Sequence, residues 1–186
     1  MTTADPTTSP RYALFLRAIN TGGRRVRNEE LVEILAELDV AEVAAHQAAG
    51  NLTFRAGSGG LADEQAIADH LTDRLGYDCP VFVRSWEELR AIPGRSPFSA
   101  SERAATEGRV HVTFLATPAS GAAEREVAAI VPDEDLVVVD GREWWWLPRA
   151  GISTSALRVG AIERLLGPMT TRTLGTIERF AARFPN

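Results

Sequence analysis

The sequence predicts an α+β protein: tandem ferredoxin-like halves, each a βαββαβ unit with an antiparallel sheet, and a C-terminal helix. Two observations predict it. Short apolar runs and helical stripes follow the order strand, helix, strand, strand, helix, strand over residues 11–84, and again over 109–173. Glycine- and proline-containing breaks separate the elements. No residue-level identity links the copies, so the repeat is one of pattern. The organisation expected is a disordered tail at 1–10, a first half at 11–84, a connector at 85–108, and a second half with the C-terminal helix at 109–186.

Residues 12–19 are apolar except for Arg17 and read as a central strand buried on both faces. Thr21-Gly22-Gly23 breaks it. Asn28 is the expected N-cap of a helix that carries Leu31, Leu35 and Leu38 to residue 39. Strands are expected at 43–47 and 52–55 around a turn at Ala49-Gly50-Asn51, followed by a flexible loop at 57–60. Asp63 starts a helix with Ile67, Leu71 and Leu75 on one face, and Gly76 ends it. The fourth strand is expected at 80–84. In the connector, a short helix at 86–92 precedes breaks at Pro93-Gly94 and Ser96-Pro97.

The second copy opens with a period-two strand at 110–116. A helix at 119–131 turns Val127, Ile130 and Val131 inward. Strands at 136–139 and 144–147 flank Asp140-Gly141, a hairpin signal because a tight turn needs positive φ. A helix at 155–166 stops at Gly167-Pro168, a last strand runs over 169–173, and a final helix carries Leu174, Ile177, Ala181 and Phe184. Each sheet keeps one face free of its own helices, so the halves are expected to bury those faces or edges against each other, or in a homodimer.

Composition narrows the chemistry. The longest apolar runs fall far short of the ~20 residues that span a bilayer, and residues 1–10 lack the apolar core of a secretory signal. One cysteine, Cys79, excludes an internal disulfide, and a cytoplasmic protein is expected. All 20 basic residues are arginine, which excludes lysine-based Schiff-base and phosphate-loop chemistry. Residues 1–28 and 147–186 each carry a net +4, while the whole chain carries −5. An acidic protein with basic ends is a poor general nucleic-acid binder but can hold a local anion site.

The strings LFLRAINTGG, AAGNLTF, LGYDCPVFVRSWEEL, VHVTFLATP and GISTSALRVGAIERLLGPMTTRTLGTI resemble the bacterial domain-of-unknown-function family numbered 1697. The resemblance covers residue 11 to the C-terminus and implies two ferredoxin-like halves, with no established activity. The family typically reads LLRGINVGG, SGN and TTRNWNT where this chain has its first strand, its third strand and its end. Arg17, Asn20, Gly22, Gly23, Gly50, Asn51, Ser155, Arg172 and Thr176 match that pattern. Ala18, Ala49, Ala156 and Thr173-Leu174-Gly175 depart from it, removing hydrogen-bonding groups from any site the family shares.

Two anion candidates follow. At the first turn, Gly22 and Gly23 expose amides ahead of a helix start, and Arg17, Arg24, Arg25 and Arg27 can grip phosphate or carboxylate. Glu29 and Glu30 oppose this, no phosphate-loop or dinucleotide motif is present, and a glycine turn with solvated arginines is the preferred alternative. The second candidate combines Asn51, Arg172 and Thr176; a turn after Gly50 accounts for Asn51 and the first turn of the last helix for Thr176, and the structural reading is preferred here as well. The residues proposed to bind ligand, with Asn20 and Ser155 from the resemblance, are therefore Arg17, Asn20, Gly22, Gly23, Asn51, Ser155, Arg172 and Thr176.

Trp144-Trp145-Trp146 could stack nucleic-acid bases, but the RNA-recognition signature is absent and packing in the core or a seam is preferred. His46, His70 and His111 share no metal-ligand spacing, so no metal and no cofactor is expected. The reading adopted is a non-catalytic binding or interaction module with a small anionic ligand, acting as monomer or homodimer without membrane or nucleic-acid partners. The alternatives are a nucleic-acid binder using the basic ends and tryptophans, and an enzyme on a phosphorylated or carboxylated metabolite.

Overall fold

The computed structural model describes residues 9–17, 19–20, 22–23, 25–47, 50–58, 63–106, 109–149 and 151–184. Ala18, Arg24, Ala49, most of the tail expected at 1–10, and the end of the loop expected at 57–60 lie outside the described residues. The chain divides into two compact units, Met1–Leu89 and Arg90–Asn186.

The first unit runs β1 (Arg11–Leu16), α1 (Asn28–Leu35), β2 (Val40–Ala45), β3 (Asn51–Ala56), α2 (Glu64–Leu75) and β4 (Val81–Ser85), and α3 (Trp86–Ala91) follows β4. Its four strands are antiparallel in the order β2-β3-β1-β4. β1 is central, which explains its near-continuous apolar run: Ala13, Leu14, Phe15 and Leu16 are all buried. Leu14, Leu16, Leu52, Phe54, Val81 and Val83 share the face that packs on Leu31, Ile34, Leu35, Ile67 and Leu71 of the two helices. The opposite face carries Ala13, Phe15, Asn51, Thr53, Phe82 and Arg84, and it is buried as well.

The second unit begins with a 3₁₀ turn (Ile92–Arg95) and α4 (Ala100–Ala104). It continues with β5 (His111–Leu115), α5 (Gly121–Ala128), β6 (Asp135–Asp140), β7 (Glu143–Pro148), α6 (Val159–Leu166), β8 (Met169–Thr173) and α7 (Leu174–Ala181). The sheet order β6-β7-β5-β8 repeats that of the first unit. Leu115, Trp144, Trp146 and Met169 pack on Val127 of α5 and Ile162 of α6. The other face carries Val112, Phe114, Trp145, Thr170 and Arg172. The sequence order therefore folds into two ferredoxin-like sheets with helices between strands and a helix at the end.

Asp63 caps α2 by accepting from the amides of Gln65 and Ala66, and Gly76 closes it in the left-handed conformation at φ 74°. Gly141 turns the β6–β7 hairpin at φ 61°. Four expectations shift. α1 takes Arg27, not Asn28, as its N-cap, because the Asn28 side chain instead donates to the Gln47 carbonyl at 3.4 Å. β2 starts at Val40 and bulges between Ala41 and Ala44, with Glu42 at φ 49°. α6 begins at Val159 because the Ser155 hydroxyl accepts from the Leu157 amide at 2.9 Å, a local bond that competes with helix. α4 was unanticipated; Ser99 and Glu102 form its reciprocal capping box.

Candidate functional site

The residues around the first turn gather at one end of the first sheet. Phe15 pairs with Asn51, the Leu16 amide donates to the Gly50 carbonyl at 2.8 Å, and the Arg17 amide donates to the Pro80 carbonyl at 3.3 Å. Gly50 sits at φ +91°, and a Cβ there would lie 3.0 Å from Ile19 Cδ1, so this turn seats on the loop after β1. Asn20 Oδ1 accepts from the Val26 amide at 2.7 Å and closes that loop. Asn51 is buried, and its side chain reaches the His46 carbonyl at 3.5 Å. Arg17, Asn20, Gly22, Gly23 and Asn51 thus belong to one neighbourhood. Gly22 and Gly23 are exposed at positive φ with open space where a Cβ would stand, so the glycine turn has no walls of its own. Arg25 and Arg27 are exposed beside it.

Ser155 has a local partner set. Its hydroxyl donates to the buried Asp135 carboxylate, which also accepts from Trp146 Nε1 at 3.1 Å. Trp144 Nε1 points to Met169 Sδ at 3.2 Å, while Trp145 Nε1 is buried with no hydrogen-bond partner. All three tryptophans are buried, so no ring offers an open face for base stacking.

Arg172 donates to Thr170 Oγ1 and to the Thr171 carbonyl, each at 2.9 Å. Burial pushes its guanidinium down to about 10, which leaves it cationic at neutral pH. Thr176 belongs to a helix cap: Thr173 Oγ1 accepts from the Thr176 amide at 3.2 Å, and the two hydroxyls lie 2.9 Å apart. Thr173 stands where the family pattern has Asn, and both residues make good N-caps, so that departure preserves the local geometry.

Between Arg172 and Thr176 in the chain, residues 173–175 line a concave feature of this unit. A 370 Å³ pocket opens at the start of α7, lined by residues 173–175 together with Val110. Arg103, Arg109 and Arg179 surround it, and Glu178 is the one acidic group among the described residues of its wall. Leu174 donates its amide to Val110 and Thr176 donates to Thr173, so the Gly175 N–H is the first-turn donor that the helix itself leaves over. Arg179 donates to Thr176 Oγ1 at 3.3 Å and stays at the rim. Beside the pocket, the His111 imidazole titrates below its ordinary value, first because of burial and then because of the Arg109 charge.

None of the ligand-binding residues expected from the sequence lines this pocket; Arg172 and Thr176 are only the chain neighbours of its 173–175 segment, and its arginines are not among those expected. Arg103 and Arg109 lie about 70 residues from Arg179 and carry no motif. The only available sign was the excess of arginine near the C-terminus. Among the described residues, no group of three or more His, Cys, Asp or Glu is arranged to hold a metal ion. No helix among them is long and apolar enough to cross a membrane.

Fold and pocket together define an α+β tandem ferredoxin-like protein with a cationic concavity in its second half. A family model described as "Protein of unknown function (DUF1697)" matches residues 10–145, and the chain belongs to that family. A solved structure, the conserved bacterial protein SP0830 from Streptococcus pneumoniae, is similar at 18% identity with a TM-score of 0.69. That likeness covers 94% of this chain and 97% of the other, and at this identity it speaks for the fold alone. No curated protein matches the chain.

Proposed function

We propose that this chain is a cytoplasmic, non-catalytic binding module whose ligand is a small anion held at the start of α7. The observation that carries the reading is the convergence of Arg103, Arg109 and Arg179 on one pocket, with a single opposing carboxylate among the described residues. Among the described residues, three guanidiniums and one glutamate give the wall an excess of two positive charges, which an anion relieves. Arginine suits the task because its planar fork matches two oxygens of a phosphate or carboxylate. The Gly175 N–H and the positive end of α7 add donors without charge of their own. The pocket volume of 370 Å³ lies at the small end of the range of about 300–1,000 Å³ usual for ligand sites.

The non-catalytic part rests on what the pocket wall contains. The Thr173 hydroxyl is engaged with the Thr176 amide and hydroxyl, and the remaining polar side chains among the described residues of the wall are guanidiniums and Glu178. Calorimetric titration with inorganic phosphate at low ionic strength tests the reading. Saturable binding that weakens about ten-fold in Arg109→Ala and in Arg179→Ala supports it, one charge-assisted contact being worth roughly that factor. Absence of binding, or equal affinity in both variants, overturns it.

A further inference from the structure

We propose that the α7 pocket takes a zwitterion: the anionic group sits on the arginines and the Gly175 N–H, and a protonated amine in the same ligand sits on Glu178. The inference rests on the anion reading above and adds the second pole. Its ground is that the pocket wall is bipolar. Arg103, Arg109 and Arg179 supply one sign, and Glu178, one position before Arg179 on the exposed side of α7, supplies the other.

The two poles are close. A Cβ built on Gly175 would lie 3.5 Å from Arg179 Nη1 and 4.0 Å from Glu178 Oε2, so both side chains bend over the same glycine. Among the described residues, neither the Glu178 carboxylate nor the Arg103 and Arg109 guanidiniums forms an ion pair within the protein. Elsewhere in this unit a surface arginine does find carboxylates: Arg95 reaches Asp140 at 2.5 Å and Glu143 at 3.5 Å. Among the described residues, the pocket therefore holds charges of both signs within reach of one small molecule. The absence of a side chain at Gly175 leaves the floor open between them, where the family pattern has Asn. Val110 and Leu174, both buried, provide an apolar floor for the short carbon spacer between the two ligand charges. The ligand class is an amine bearing a phosphate monoester or a carboxylate within a few bonds.

Calorimetry with matched probes separates the poles and the two acidic groups. Methyl phosphate and phosphoethanolamine form one pair, acetate and glycine the other, and ethanolamine is the cation-only control. The expected result is that the zwitterion of at least one pair binds about ten-fold more tightly than its simple anion, the return from one added charge-assisted hydrogen bond. In Glu178→Gln, an exposed substitution, that advantage disappears while the simple anion binds as before or better. The pair showing the effect identifies phosphate or carboxylate as the anionic group. Equal affinities within both pairs in the wild-type protein, or an advantage that survives Glu178→Gln, overturn the zwitterion while leaving the anion reading standing. Failure of methyl phosphate and acetate to bind at all overturns both.

Discussion

Ser155 and Arg172 lie on opposite faces of the second sheet. Ser155 bonds to Asp135, which shares the helix-covered face with Trp146, whereas Arg172 pairs with Val112, whose other neighbour across the sheet is Trp145. Two residues that both match the family pattern therefore do different work. Ser155 satisfies a buried carboxylate and holds the approach to α6. Arg172 secures β8 next to the start of α7.

Ser155→Ala removes one of the two donors to the buried Asp135 carboxylate and the acceptor for the Leu157 amide. A loss of about 1–3 kcal/mol in unfolding free energy is expected, the cost of leaving a buried polar group short of partners. Urea denaturation measures it, and phosphate affinity is expected to stay unchanged.

Gly50→Ala is expected to cost more than Gly22→Ala. Both glycines have positive φ, which alone penalises a side chain by about 1–2 kcal/mol. Only Gly50 adds a tight approach, since a Cβ there would lie 3.0 Å from Ile19 Cδ1, while the space around Gly22 is open. Parallel thermal melts of the two variants give the ranking.

Glu42 holds Arg11 and Arg55 together across the edge of the first sheet, with Arg55 Nε at 3.0 Å. The Arg55 hydrogen bond, helped by Arg11 and opposed by burial, lowers the carboxyl below its ordinary value of 4.5. A carboxyl depressed in the folded state adds stability above its unfolded value and loses it as pH falls through the folded value. The stability gap between wild type and Glu42→Gln is therefore expected at pH 7 and should close below pH 4.5. High salt should narrow it, because the pair is partly exposed.

Cys79 is buried, and that burial, with the charge of Asp78 second, pushes its thiol up to about 11. Modification by Ellman's reagent at pH 8 is expected to be slower in the folded protein than in urea by a factor on the order of 100.

The legible parts of the sequence were those whose physics is local. Asp63 and Gly76 bracket α2 because a capping carboxylate and a left-handed glycine act within one turn of their own backbone. Asp140-Gly141 marks its hairpin for the same reason. Ser99-Ala100-Ser101-Glu102 carried an equally local capping signature, hidden by the prolines before it. The start of α6 was not legible, since the Ser155 hydroxyl that accepts from the Leu157 amide is also held by Asp135, twenty residues earlier in the chain. The pocket was least legible of all: Arg103, Arg109 and Arg179 meet only because β5 and β8 are sheet neighbours and α7 follows directly from β8.

The most direct test of the anion site is a phosphate titration of ¹⁵N-labelled protein followed by amide chemical shifts. Progressive, saturable shifts of Gly175 and Thr176 are expected with Gly22 and Gly23 unmoved, and with loss of those shifts in Arg109→Ala. Shifts confined to Gly22 and Gly23, or a Gly175 amide that never responds, would contradict it.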